Sequence, residues 1–188
     1  MELGQAHRHL PPEVWDKDAG LLPKKLGGRP AVFHRVSTGI WVDLVDDLQP
    51  TQEQWLHWLG GDVIIIPRKG KWDNRKVGIA APPVETEKGW LLLYHGICDP
   101  GNIYRVGAAL LNLEDPTKII ARTDYPILEP EMPWEKEGLT PNVVFPCGMV
   151  VLGKTLFVYY GGADRVTGVA AANLDDLVEA VLRGPMPR

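Results

Sequence analysis

The segment Gly89-Trp-Leu-Leu-Leu-Tyr-His-Gly96 shares its design with a later one, Gly153-Lys-Thr-Leu-Phe-Val-Tyr-Tyr-Gly-Gly162. In both, a glycine opens an apolar run that ends in an aromatic pair or an aromatic–histidine pair, and glycine follows. Each is succeeded by a run rich in small residues, 106–110 and 168–172. The pattern predicts a β unit that recurs after about 65 residues, longer than the ~40–50 usual for propeller repeats.

Short β-type runs bounded by glycine, proline or acidic residues extend outward from this repeat. The runs predict strands near 31–36, 40–45, 63–66, 76–81, 90–95, 104–113, 119–122, 143–151, 155–160 and 167–172. Apolar positions 174, 177, 178, 181 and 182 predict a terminal amphipathic helix capped by Asn173. Segment 47–59 is predicted as a short helix or a loop.

The predicted fold class is all-β with a short C-terminal helix. Regularly spaced strands suit a sandwich or a propeller, and the repeat favours the propeller. With four strands to a blade, these strands would make about two and a half to three blades, fewer than a closed ring needs. The length of 188 residues predicts one domain, 1–188.

Bulk properties exclude several classes of function. A net charge of −4 provides no basic surface for nucleic acid, and the apolar runs are too short to cross a membrane. No secretion signal is visible at the start. Cys98 and Cys147 fit neither a disulfide framework nor a metal site, so buried free thiols and a cytoplasmic location are predicted. His7 and His9 suggest a metal site only weakly, and no nucleotide or esterase motif occurs.

Four basic or titratable residues stand at predicted strand ends or tight turns: Lys17, Arg35, Lys76 and His95. Each lysine alone is most simply a solvated surface charge. His95 closes an apolar strand between Tyr94 and Gly96, which suits either a core histidine or a site residue.

Several carboxylates and aromatic residues are further candidates for a functional site. The candidates for a general acid or for binding sugar hydroxyls are Asp16, Asp18, Asp43, Asp73, Asp99 and Asp164, although most of them are predicted to form turns. Asp164 differs, because glycines that leave space for a substrate carry it out of an apolar strand. The aromatic candidates for stacking on sugar, with core packing as the alternative, are Trp41, Trp72, Trp90, Trp134, Tyr104 and Phe145.

Several motifs occur in the order in which they resemble glycoside hydrolase family 130. They include Asp16-Lys-Asp-Ala-Gly-Leu-Leu-Pro23, Phe33-His-Arg35, Trp72-Asp73 with Lys76-Val-Gly78, Pro83 to Gly96, Asn142-Val-Val-Phe-Pro-Cys-Gly148 and Tyr159-Tyr-Gly-Gly-Ala-Asp164. The resemblance covers nearly the whole chain from about Asp16.

The resemblance implies a five-bladed β-propeller that acts on β-mannosides, many members using inorganic phosphate as co-substrate to give α-mannose 1-phosphate without a further cofactor. It places Lys17, Arg35, Lys76 and His95 in the phosphate-binding set. Lys17 stands where part of the family has arginine, which leaves phosphate or water open as the acceptor. If an imidazolium at His95 holds phosphate, raising the pH should weaken that contact.

The resemblance also assigns Tyr104, Phe145 and Asp164 to sugar subsites. It places the general acid in blades that precede Asp16, so this chain is expected to be the C-terminal portion of the propeller, without the N-terminal blades, and inactive alone. A separate N-terminal fragment or a homo-oligomer would then be a partner. A non-catalytic sugar-binding or assembly module, a β-mannoside hydrolase and an unrelated β-sandwich are the alternatives.

Overall fold

The computed structural model describes residues 15–48 and 60–184. The strands in these residues are β1 (Asp16–Leu21), β2 (Ala31–Val36), β3 (Gly39–Leu44), β4 (Asp62–Ile65), β5 (Lys76–Ile79), β6 (Val84–Thr86), β7 (Gly89–Ile97), β8 (Tyr104–Leu111), β9 (Ile119–Arg122), β10 (Val144–Leu152), β11 (Thr155–Gly162) and β12 (Val166–Asn173). The helices are α1 (Pro133–Lys136) and α2 (Leu174–Arg183). Neither helix is long and apolar enough to cross a membrane.

The strands form three antiparallel sheets. The first has the order β1-β2-β3-β4, and the third has the order β10-β11-β12. The second has the order β5-β7-β8-β9, with the short β6 also paired to β7. The chain is therefore mostly β, which confirms the predicted class.

Each of the ten predicted strands corresponds to one observed strand, and 31–36 and 119–122 match without any shift. Two strands were missed. The first, β1, begins with alternating charges, and the second, β6, has only three residues. The single-turn helix α1 was also missed, while segment 47–59 lies almost wholly outside the described residues.

The terminal helix α2 is confirmed with the predicted cap. The Asn173 side chain accepts a hydrogen bond from the Asp176 backbone N–H at 3.1 Å, which satisfies a donor that the helix itself cannot. Val178 and Val181 are buried against the second and third sheets, and Gly184 ends the helix with a φ of 70°.

Strand β7 is buried on both faces along its whole length. Because side chains alternate across a strand, Trp90, Leu92 and Tyr94 enter the core shared with the first sheet. Leu91 and Leu93 enter a second core shared with the third sheet and α2. Burial on both sides explains why this strand is a continuous apolar run instead of an alternating one.

The repeat seen in the sequence has a structural counterpart in two tyrosine–glycine pairs. Tyr94 lies opposite Gly107 and donates its hydroxyl to Asp73 Oδ2 at 3.1 Å. In the third sheet Tyr160 lies opposite Gly168, and its hydroxyl lies 2.5 Å from Glu135 Oε1. Asp73 and Glu135 are both buried.

The two glycines leave the space that the tyrosine rings occupy. A Cβ atom on Gly107 would lie 2.6 Å from Tyr94 Cζ, and one on Gly168 would lie 2.5 Å from Tyr160 Cζ. A Cβ on Gly148, also inside a strand, would meet nothing within 4 Å.

We expect Gly107→Ala and Gly168→Ala each to lower the free energy of unfolding by about 1–3 kcal/mol, the usual cost of overpacking. Gly148→Ala, the matched control, should change it by less than about 0.5 kcal/mol. Urea unfolding followed by tryptophan fluorescence measures all three. Equal effects of the three substitutions would contradict the packing role of these glycines.

The two cysteines are free thiols, but the prediction that they are buried is wrong. Cys147 is exposed and Cys98 is partly exposed. The pairing of β10 with β11 shifts register between Pro146 and Gly148. Cys147 lies at this irregularity, which breaks the regular alternation of side chains.

Candidate functional site

The candidate site begins at an irregularity in β1. Lys17 lies opposite Arg35 of β2, and the register shifts between Lys17 and Gly20. Within this shift Asp18 has a φ of 53°, a left-handed conformation that aspartate tolerates better than most residues. Arg35 Nε donates to Asp18 Oδ2 at 2.6 Å, and Arg35 Nη1 donates to the Ser37 carbonyl at 2.8 Å.

The second sheet contributes Gly78 and His95, which lie opposite each other on β5 and β7. His95 Nε2 lies 3.7 Å from Asp18 Oδ2. A Cβ atom at Gly78 would collide with both the Asp18 carboxylate and the His95 ring. The missing side chain at Gly78 therefore lets Asp18 of the first sheet meet His95 of the second.

Lys76, the first residue of β5, is partly buried beside this pair. Burial lowers the pKa of its ammonium, and the positive charges of Arg35, Arg75 and Lys17 lower it further, while Asp18 acts in the opposite direction. Among the ion pairs of the described residues, none involves Lys76. A partly buried ammonium among like charges favours an anion beside it.

Lys17 is the exposed member of the cationic set. Its ammonium lies 5.1 Å from the centroid of the Trp15 ring, a distance typical of a cation–π contact. It lies close enough to Lys76 to lower the pKa of that residue. Lys17 therefore lies at the exposed edge of the cationic set, which also contains the buried Arg35 and the partly buried Lys76.

His95 is neutral at pH 7. Burial lowers the pKa of its imidazole to about 4, with Arg35 and Lys76 acting in the same direction and Asp18 against it. Charging the ring would cost its desolvation beside two cations, and the expectation that an imidazolium holds phosphate stays a prediction. Its Nδ1 is buried without a hydrogen-bond partner.

Two of the three residues assigned to sugar lie beside His95, and the third, Asp164, acts electrostatically on Tyr104. The Phe145 and Tyr104 ring centroids lie 4.7 and 6.0 Å from the His95 ring, and 6.1 Å from each other. Burial raises the pKa of the Tyr104 hydroxyl, and the charges of Asp164 and Asp18 contribute to the rise. Asp164 is exposed in the turn between β11 and β12. The structure thus brings the seven predicted residues to one region where the three sheets meet.

Asp18 is the main site residue that the sequence pattern does not single out, because an aspartate in such a segment is typical of a turn. The available signal was its position between Lys17 and Gly20, in a segment with the first basic residue of the set. Gly78 was also missed as the residue that makes room for the contact. Among the other carboxylates, Asp73 is buried between Arg68 and Arg122, which is a structural role.

The candidate aromatic residues divide between core and site. Trp90 is fully buried in the first core, and Trp72 stacks on Tyr94 with ring centroids 5.7 Å apart. Both therefore pack the fold. No group of metal-ligating side chains is found in residues 15–48 and 60–184, while His7 and His9 lie outside those ranges.

A second titratable cluster lies in the first sheet. His34 is buried between two carboxylates, with Nδ1 2.9 Å from Asp16 Oδ2 and Nε2 2.7 Å from Asp43 Oδ2. Burial alone would lower the pKa of His34, but the hydrogen bonds and charges of Asp16 and Asp43 outweigh it and raise the pKa to about 9. His34 is therefore an imidazolium at pH 7.

This cluster predicts a loss of stability on the alkaline side. Because the folded-state pKa is raised, the His34 contribution is complete below about pH 6.5 and is lost as the pH rises through about 9. The free-energy difference between wild type and His34→Gln should therefore shrink between these two pH values, as measured by urea unfolding.

Lys154→Gln is the control, because this exposed lysine has a pKa raised above its ordinary value and does not titrate in that range. Its difference from wild type should stay constant with pH. A constant difference for His34→Gln as well would show that His34 is not charged in the folded protein.

A mostly β chain that places a cationic cluster beside aromatic rings has the features of a carbohydrate-active protein that also binds an anion. The model of glycoside hydrolase family 130, described as beta-1,4-mannooligosaccharide phosphorylase, matches residues 7–183. The chain belongs to this family.

Individual relatives agree with the family match. The chain is 48% identical over 162 residues to the 1,2-beta-oligomannan phosphorylase of Thermoanaerobacter sp. (strain X514), covering 86% of this chain and 52% of the relative. It is 29% identical over 171 residues to the beta-1,4-mannooligosaccharide phosphorylase of Ruminococcus albus, covering 89% and 51%.

A solved structure is similar over the same range. The beta-1,2-mannobiose phosphorylase of Listeria innocua, in complex with beta-1,2-mannobiose, superposes with a TM-score of 0.82 and 35% identity, covering 92% of this chain and 48% of that one. The chain thus spans about half the length of these relatives.

Proposed function

We propose that this chain supplies the phosphate-binding side and part of the sugar-binding side of a β-mannoside phosphorylase. The observation that carries the proposal is the approach of Arg35 and Lys76, from two different sheets, to the Asp18–His95 contact. The family relationship supports the same reaction, because the relatives are named as mannoside phosphorylases.

The proposed anion site combines several kinds of donor. Arg35 has five N–H donors, of which Asp18 and Ser37 engage two in the contacts described. Lys76 contributes a partly buried ammonium that the positive charge of Arg35 repels. A bound phosphate would relieve this repulsion. A neutral His95 keeps one N–H, which the anion would share with the Asp18 carboxylate that Nε2 faces. Such donors are strongest in a site shielded from water.

The proposed sugar site lies beside it. Tyr104 and Phe145 provide apolar ring faces against which a sugar ring can pack. Asp164 provides a carboxylate that can accept hydrogen bonds from sugar hydroxyls. A mannoside bound here would place its glycosidic bond close to the phosphate site.

The substrate we propose is a β-1,2-linked mannoside. The relatives named for β-1,2-linked substrates are 41–48% identical to this chain, whereas the one named for β-1,4-linked mannooligosaccharide is 29% identical. A phosphate oxygen would attack the anomeric carbon with inversion, while an acid protonates the departing sugar oxygen, to give α-mannose 1-phosphate. We assign that acid to none of the seven site residues.

We further propose that the three sheets are blades of a five-bladed propeller. Each sheet packs face to face on the next in chain order through the two cores. The outer face of the third sheet carries the exposed apolar side chains Val150, Leu152, Tyr159 and Val169, as a sheet that stacks on a further blade would. A cytoplasmic location remains a prediction.

The reaction is tested with β-1,2- and β-1,4-mannobiose, each with and without phosphate. Mannose 1-phosphate formed only with phosphate supports the proposal, and mannose formed without phosphate would instead support a hydrolase. Sugar binding without turnover would agree with a non-catalytic module or with a site that needs residues beyond this chain. Adding the half of a relative that this chain does not span would separate these two cases.

Phosphate binding is tested directly on the chain by isothermal titration calorimetry. We expect Lys76→Gln and Arg35→Gln to weaken phosphate binding about ten- to a hundredfold, the equivalent of a charge-assisted hydrogen bond of about 1.5–3 kcal/mol. Lys118→Gln removes the same charge from an exposed position and serves as the control. Unchanged binding in Lys76→Gln would reject the assigned phosphate site.

A further inference from the structure

A carboxylate in the middle of a cationic anion site requires an explanation. Asp18 Oδ2 accepts from Arg35 and faces His95 Nε2, and its charge acts on Lys76 as well. For any fully deprotonated anion bound by these cations, the nearby carboxylate is repulsive. Asp18 therefore weakens the binding of simple anions at the very place where cations gather.

We propose that Asp18 makes this site selective for an oxyanion that carries a proton, such as hydrogen phosphate, over one that carries none, such as sulfate. The proposal rests on the proposed function, since it names the form of the anion that the same site accepts. Its basis is the placement of the Asp18 carboxylate between Arg35 and His95.

The hydrogen-bonding roles around Asp18 determine this selectivity. An ionised carboxylate is only an acceptor, with about four acceptor positions on two oxygens, and Arg35 engages one of them in the contact described. The ligand oxygen that approaches Asp18 must therefore bring a hydrogen. Hydrogen phosphate has one P–OH group, while the sulfate dianion has the same shape and charge at neutral pH but no hydrogen.

The local structure holds the carboxylate in place. Asp18 has a positive φ of 53° inside the β1–β2 register shift, and its side chain is 15% exposed. The absence of a side chain at Gly78 admits it between the sheets. A carboxylate fixed in this way cannot turn away from an incoming anion, so repulsion contributes to specificity.

His95 does not replace this acceptor. Its Nδ1 is buried without a partner, and its Nε2 lies 3.7 Å from the Asp18 carboxylate, beside which an N–H is favoured over a lone pair. Arg35, Lys76 and this N–H are all donors. Among these side chains, Asp18 is thus the one that can accept a hydrogen bond from the anion.

The test compares three tetrahedral anions by isothermal titration calorimetry on the whole chain near neutral pH. Phosphate and arsenate both keep a proton there, and sulfate does not. We expect wild type to bind phosphate and arsenate at least about tenfold more tightly than sulfate, which corresponds to one satisfied hydrogen bond to a charged group instead of a repulsive contact.

In Asp18→Asn the amide oxygen can still accept from Arg35, while the negative charge is gone and the amide can donate. In this variant the dissociation constants of sulfate and phosphate should differ by no more than about threefold. The main reason is that sulfate should bind more tightly to the variant than to wild type. Asp175→Asn, which removes an exposed carboxylate of α2 paired with Lys154, should leave the ratio of these two constants as in wild type.

The outcomes separate the two proposals. If no anion binds to wild type, or if Lys76→Gln does not weaken binding, the phosphate site itself is rejected. If phosphate binds but sulfate binds equally well, only the selectivity is rejected. An equal loss of all three anions in Asp18→Asn would mean that Asp18 merely orients Arg35. Because the wild-type comparison needs no substitution, a variant that fails to fold does not remove the test.

Discussion

The fold depends on strand β7, which is buried on both faces because it lies between two cores. A strand in that position is predominantly apolar, and a polar group along it is costly unless it finds a partner inside the protein. Tyr94 meets this condition with a hydroxyl bonded to Asp73, which Arg68 and Arg122 in turn neutralise. His95, the next residue, points to the other face and remains neutral. The candidate site thus begins at His95, the one histidine of this central apolar strand.

The contact between the sheets explains the electrostatics of the site. Because Gly78 has no side chain, the Asp18 carboxylate reaches the His95 ring and also pairs with Arg35. The negative charge of Asp18 partly offsets the positive charges of Arg35 and Lys76. Burial and these two cations together lower the pKa of His95 to about 4. His34, on strand β2 of the first sheet, has a pKa shifted in the opposite direction. Two carboxylates surround its ring at hydrogen-bond distance and hold it charged in spite of burial.

Much of the fold was predictable because hydrophobic periodicity and glycine turns are local signals. The strands of the two repeated units and the Asn173-capped helix were found in this way. Strand β1 was not, because its alternating charges resemble a turn and its pairing is interrupted at Asp18. The seven site residues came from ordered motifs that resemble the family, since no local pattern brings Lys76, Phe145 and Asp164 together. The contact between Asp18 and His95 depends on packing between sheets, which no single segment encodes.

The conformation of Asp18 coincides with an interruption in the pairing of β1 with β2. A positive φ is uncommon for a residue other than glycine, and such residues tend to occur at functional sites. Here the same residue interrupts the register, pairs with a buried arginine and faces a neutral imidazole. If the site needed only to attract anions, a neutral residue at position 18 would leave Arg35 and Lys76 more attractive. A carboxylate at this point is therefore better understood as limiting which anion, and which protonation state of it, the cations can hold.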